Sequence, residues 1–112
     1  MDDCIFCRIV NKEIPAGVVY EDDEVLAFSD IAPQAPVHIQ IIPKQHIPAL
    51  AEVNDYAIMG KLFRVLNQLA KDMGVDQSGY RTVINNGRAA GQAVDHLHLH
   101  LLGGRAFHWP PG

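Results

Sequence analysis

Nowhere does this chain of 112 residues run for about 18 consecutive apolar positions, which excludes a helical membrane span from the sequence. A basic signal-peptide start is missing too, because the opening Met1-Asp2-Asp3 carries two acids. Together these absences predict a soluble, cytoplasmic protein with no membrane partner. Positive charge is scarce: Lys and Arg number 9 against 13 Asp and Glu, for a net charge of −4. That argues against a nucleic-acid partner held by bulk charge, since such binding needs basic residues to replace counterions at phosphates. A phosphate, if bound, needs a local site. Linkers, internal repeats and low-complexity segments are absent, so a single domain over residues 1–112 is expected. Cysteine is limited to Cys4 and Cys7, and a structural disulfide between them is not expected in a cytoplasmic chain. What the chain does have is apolar material. Hydrophobic residues make up 48% and mean hydropathy is +0.01, enough for a core to oppose an ordering entropy on the order of 100–200 kcal/mol. The one excess is histidine, with six in all and three of them within five residues.

The pattern of apolar residues predicts an α+β fold, an antiparallel sheet of about five strands with one long helix and a short amino-terminal helix. Asp2 or Asp3 is placed to cap a helical turn over Cys4 to Val10, with Cys4 and Cys7 on one face. Val18-Val19-Tyr20 and Val25 to Phe28 flank four acids and read as a hairpin. His38 to Ile42, bracketed by prolines, reads as a third strand. The long helix is expected to start near Asn54 or Asp55, to face the sheet with Ile58, Leu62, Val65, Leu69 and Met73, and to stop at Gly74. Tyr80 to Asn85 reads as a strand ended by an Asn-Gly turn. The last strand is expected from Asp95 to Leu102, followed by an irregular tail.

In that last strand side chains alternate, so His96, His98 and His100 share one face and Leu97, Leu99 and Leu101 the other. Same-face neighbours lie roughly 6.5–7 Å apart along the backbone, close enough for adjacent imidazoles to converge on one ligand. A single histidine is ordinarily a surface or hydrogen-bonded core residue. Three in register opposite a leucine face are a poor way to build either. Two chemistries suit the row: a three-imidazole metal site with metal-bound water, or a neutral imidazole that attacks an electrophile while its neighbours handle charge and protons. The preceding loop, Asn85 through Val94, is rich in small residues whose backbone N–H groups suit a phosphate.

The run His96-Leu97-His98-Leu99-His100-Leu101-Leu102 resembles the signature of the histidine triad (HIT) superfamily. Ile14-Pro15, Pro33-Gln34-Ala35-Pro36, Ile42-Pro43-Lys44, Leu102-Gly103-Gly104-Arg105 and the terminal His108-Trp109-Pro110-Pro111-Gly112 are similar to its Hint branch along nearly the whole chain. The resemblance implies a homodimer with a sheet continued across the subunits, a purine nucleotide in each subunit, and hydrolysis of purine nucleoside 5′-phosphoramidates. In that reading His98 attacks phosphorus, His100 contacts the phosphate and His38 completes the proton network. Asn85, Gly91, Gln92, Ala93 and Val94 hold the phosphate, Asp30 takes the ribose hydroxyls, and Ile5, Phe6, Ile9, Phe28 and Ile31 line the base pocket. Trp109 reaches the partner subunit. Three positions depart from the pattern of animal members: Ala93 stands where a serine is usual, Gln40 where the pocket is usually apolar, and Asp95 where a tyrosine is usual. Ala93 keeps open a second reading, a nucleotide-binding module with negligible turnover.

Cys4 and Cys7 read as two small buried thiols or, with His46 and His96, as the closed tetrahedral donor set of a structural zinc. The resemblance favours Zn²⁺, because bacterial members of the superfamily carry ligands in matching places. No metal is then needed at the reacting phosphorus.

Overall fold

A computed structural model describes residues 3–112; Asp2, one of the two expected helix caps, lies outside them. A short helix α1 (Ile5–Val10) leads into β1 (Val18–Glu21), β2 (Val25–Ser29) and β3 (Val37–Pro43). After a 3₁₀ turn at Leu50–Glu52 come the long helix α2 (Ala57–Asp72), β4 (Tyr80–Val83), a second 3₁₀ turn at Arg88–Ala90, and β5 (Leu99–Gly103). The five strands form one antiparallel sheet in the order β1-β2-β3-β5-β4.

Covering on both faces explains the sequence of β2, whose Val25, Leu26, Ala27 and Phe28 are all buried. Val25 and Ala27 join Ile39, Ile41, Leu97, Leu99 and Leu101 in the core under α2. Leu26 and Phe28 pack instead with Ile42 and with Phe6 of α1. The helix buries Leu62, Val65, Leu66, Leu69 and Ala70, the i, i+3, i+4, i+7, i+8 stripe of an amphipathic helix. Met73, expected on that stripe, is the C-cap and is 39% exposed; Leu66 and Ala70 complete the face in its place. Gly74 at φ +74° ends the helix in the left-handed region, as the sequence predicts.

β4 stops at Val83, short of the expected Asn85, and the starts of both helices differ from expectation. Cys4 caps α1, its Sγ accepting the Cys7 N–H at 3.3 Å, so the cap is not Asp3. At α2 the first residue is Ala57; Asp55 still supplies an acceptor, Oδ1, to the Ala57 N–H at 3.0 Å. No helix among the described residues is long and apolar enough to cross a membrane.

Candidate functional site

The triad straddles the entrance to β5 rather than lying wholly within it. The ladder with β3 begins at Ile41 opposite Leu99, so Asp95 to His98, expected in the strand, precede it. That segment is tied down by other means. Leu97 N–H donates to Ile47 O at 2.7 Å, and His96 Nε2 donates to Pro43 O at 2.8 Å. Alternation nevertheless survives, because the chain stays extended: Leu97, Leu99 and Leu101 enter the core under α2, while His96 and His98 meet Phe6 edge-on at 5.9 and 5.3 Å between ring centroids.

Hydrogen bonds assign the protons of four imidazoles. A carbonyl oxygen only accepts, so His98 Nδ1, 2.7 Å from His96 O, carries the proton and Nε2 keeps the lone pair. A backbone N–H only donates, so Gln34 N–H, 3.0 Å from His38 Nδ1, leaves the His38 proton on Nε2. His38 Nε2 then donates to His100 Nδ1 at 2.9 Å, which places the His100 proton on Nε2. Asp30 Oδ2 lies 3.3 Å from His38 Nε2. Burial first, and then the neighbouring His98 and His38, push the His100 pKa down to about 4 against the opposing pull of Asp30, so its ring is neutral at neutral pH.

Asp30, His38 and His100 bring donor atoms within 4.8 Å of one another, yet they do not suit a cation. Gln34 N–H keeps a proton on the very nitrogen a metal would need, and 2.9 Å between the two rings is shorter than the about 3.3 Å between imidazole ligands of a tetrahedral zinc. The three triad imidazoles do not form a ligand set among the described residues.

Beside His98 and His100 opens a cavity of about 370 Å³, within the ~300–1,000 Å³ span of small-ligand sites. Asp30 and Gln40 form one part of its wall, Ile5 and Phe6 of α1 another, and Asn85, Gly91, Ala93 and Val94 a third, with a fully exposed Ile31 at the rim. Three expected lining residues stand back from it. Phe28 packs behind Phe6 at 5.3 Å between centroids, and Ile9 belongs to the same second layer. Gln92 braces the loop: its Oε1 accepts Gly87 N–H at 2.8 Å, and its Nε2 donates to Pro48 O at 2.8 Å and Val94 O at 3.0 Å. Gly91 sits at φ +88°, a conformation only glycine adopts without strain. A larger cleft of about 440 Å³ lies between Glu24, Glu52, Asp55 and Lys61. The triad is absent from its wall, so chemistry favours the smaller cavity.

Across α1 from that cavity a second cluster assembles. Cys4 Sγ is 3.4 Å from His96 Nδ1, and Cys7 Sγ is 3.2 Å from His46 Nδ1 and 3.6 Å from His96 Nδ1. Tetrahedral zinc with Zn–S of about 2.3 Å and Zn–N of about 2.0–2.1 Å implies S···N edges of about 3.6 Å, so the four donors are spaced to hold such an ion. The bond to Pro43 O turns the His96 Nδ1 lone pair toward the sulfurs. Burial, followed by the hydrogen bond and charge of Cys4, pushes the Cys7 thiol up to about 11, a cost that a bound cation offsets.

The HIT domain family model matches residues 11–107. The chain belongs to the HIT family. An uncharacterised HIT-like protein of Synechocystis sp. is 52% identical over 99% of this chain and 98% of its own length. The crystal structure of a HIT family hydrolase from Legionella pneumophila is 49% identical, with a TM-score of 0.96 over 98% of this chain and all of that one. A histidine triad nucleotide-binding protein from Candida albicans is 35% identical, with a TM-score of 0.85 over 98% of this chain and 85% of that one.

Within the HIT frame two of the three departures share the cavity. Ala93 and Gln40 are both on its wall, Gln40 bonded to Asp30, while Asp95 lines an adjoining hollow beside Cys4 and His46. Trp109 is 83% exposed on the single chain, and its neighbour His108 is held by Arg81 Nη2 donating to the His108 carbonyl at 2.9 Å. Sequence reasoning missed the backbone contributors, Gln34 N–H, His96 O and Pro43 O, because main-chain groups leave no residue-type signal.

Proposed function

We propose that this HIT protein is a nucleotide hydrolase that cleaves the P–N bond of purine nucleoside 5′-phosphoramidates, such as AMP-lysine or AMP-NH₂, in a single domain over residues 1–112. The observation that carries the reading is the His98 tautomer: with Nδ1–H held by His96 O, the free lone pair is on Nε2 in a residue lining the cavity. In the first step His98 Nε2 bonds to phosphorus and the P–N bond breaks, its electron pair leaving on the amine. The leaving amine takes its proton from solvent water, while His100 Nε2–H, whose position the bonds from Gln34 and His38 set, donates a hydrogen bond to a phosphate oxygen. The phosphorylated ring becomes cationic, and the His96 carbonyl bonded to its Nδ1–H stabilises that charge. Water then attacks phosphorus, the bond from phosphorus to His98 breaks with its electron pair returning to Nε2, and the water's proton passes to solvent as the nucleoside monophosphate is released.

In the same reading Asn85, Gly91, Ala93 and Val94 surround the phosphate, Asp30 takes the ribose hydroxyls, and Ile5, Phe6 and Ile31 flank the base. Zn²⁺ is the ion proposed for Cys4, Cys7, His46 and His96. There it supplies structural cross-linking, since four protein donors close its shell. A homodimer is proposed in which Trp109 reaches the partner's site. Turnover of a fluorogenic adenosine or guanosine phosphoramidate tests the activity: His98→Ala is expected to lose about 1,000-fold or more in kcat, and unchanged turnover refutes the role of His98. Because Ala93 puts a methyl group on the cavity wall, a binding module with negligible turnover is the second reading. AMP binding without any cleavage by the wild type supports it.

A further inference from the structure

One buried side-chain polar atom among the described residues has no hydrogen-bond partner, Gln40 Oε1. Buried acceptors are nearly always satisfied, so an orphan beside a candidate site asks for an explanation. Gln40 sits at the centre of the sheet, paired with Phe28 of β2 on one side and His100 of β5 on the other, and it lines the triad cavity. Its amide orientation is determined: Nε2 donates to Asp30 Oδ2 at 2.8 Å, and a carboxylate accepts only from the NH₂ end. The oxygen therefore turns away from Asp30 with nothing to accept from. Asp30 is itself well held, Oδ1 taking Ala32 N–H at 2.8 Å and Oδ2 also facing His38 Nε2 at 3.3 Å.

We infer that Gln40 is a specificity-determining residue whose Oε1 accepts a hydrogen bond from a sugar hydroxyl of the bound nucleotide, so that the site selects ribo- over deoxyribonucleotides. The inference rests on the nucleotide reading above. It follows from the amide's own geometry, since the oxygen shares a planar group with the nitrogen that grips Asp30, and two vicinal hydroxyls present two donors, one for each residue. The terminal torsion of glutamine is soft, so a small rotation brings the oxygen to an incoming hydroxyl. A sugar lacking that hydroxyl leaves the acceptor buried and unpaired, the circumstance in which polar sites discriminate most strongly.

Calorimetric titration of the whole protein with AMP, 2′-deoxy-AMP and 3′-deoxy-AMP tests this. The wild type is expected to bind AMP at least about tenfold more tightly than one of the two deoxy forms. Gln40→Leu and Gln40→Met should each reduce that ratio about tenfold while leaving the affinity for inorganic phosphate unchanged. Equal wild-type affinity for all three nucleotides overturns the inference without any variant. AMP binding with an unaltered ratio in both variants overturns it while sparing the nucleotide reading, and a wild type that binds no AMP overturns both.

Discussion

Replacing His38 by phenylalanine removes both nitrogens of the hydrogen-bond relay while keeping an aromatic ring in a site only 8% exposed. Two bonds vanish, Gln34 N–H to Nδ1 at 3.0 Å and Nε2–H to His100 Nδ1 at 2.9 Å. His100 is then free to carry its proton on either nitrogen, and in the wrong tautomer a lone pair faces the phosphate oxygens. Losing one hydrogen bond to a charged group in the transition state costs about 1.5–3 kcal/mol, equivalent to about 10- to 150-fold in kcat. Loss of the bond from Gln34 N–H, on an exposed residue, costs a further ~0.5–1.5 kcal/mol of folding free energy, so the melting temperature should fall by several degrees. The assay is phosphoramidate turnover with kcat and KM resolved, alongside thermal unfolding. A folded His38→Phe protein with kcat within about twofold of wild type refutes the relay.

Other consequences follow from single contacts. Chelation, or Cys7→Ala, should remove bound zinc and lower the melting temperature, since the four donors join α1 to the loop after β3 and to the triad segment; zinc content near zero in protein purified without chelator contradicts this. Because the His100 pKa falls from 6.5 to about 4 on folding, the unfolded chain binds more protons between those values. Stability is therefore complete above about pH 6.5 and declines as pH falls toward about 4. His100→Gln should flatten that part of the pH dependence in thermal unfolding. Gly103→Ala should destabilise by about 1–3 kcal/mol, because its Cβ would stand 2.9 Å from Val75 Cβ and Cγ1. Val75→Ala in the same chain should recover part of the loss, and strict additivity of the two substitutions in denaturant unfolding contradicts the clash.

The architecture was largely legible because its signals are local. Apolar spacing of 3.6 found α2, turn residues, prolines and β-branched content found the first four strands, and spacing of two found the histidine face, which persists where the ladder does not. The start of β5 was not legible: its limit depends on where β3 stops offering partners, a tertiary fact that Asp95 to His98 do not encode. The Cys4/Cys7 pair was visible by spacing, whereas the use of Cys4 as a helix cap was not, since thiols rank low as caps. Gln92 illustrates the same boundary. The family resemblance suggested phosphate contact, but an amide carries both donors and acceptors, and the fold uses its oxygen and both N–H groups to brace the loop. Gln40 stood out by its polarity in an apolar context; only the structure tied it to Asp30.

The stereochemical course at phosphorus tests the nucleophilic role of His98 most directly. A P-chiral adenosine phosphorothioamidate hydrolysed in isotopically labelled water should give the nucleotide with retained configuration, because attack by His98 Nε2 and then by water inverts phosphorus twice. Inversion of configuration means a single displacement by water, and it would contradict the covalent nucleotidyl-His98 intermediate.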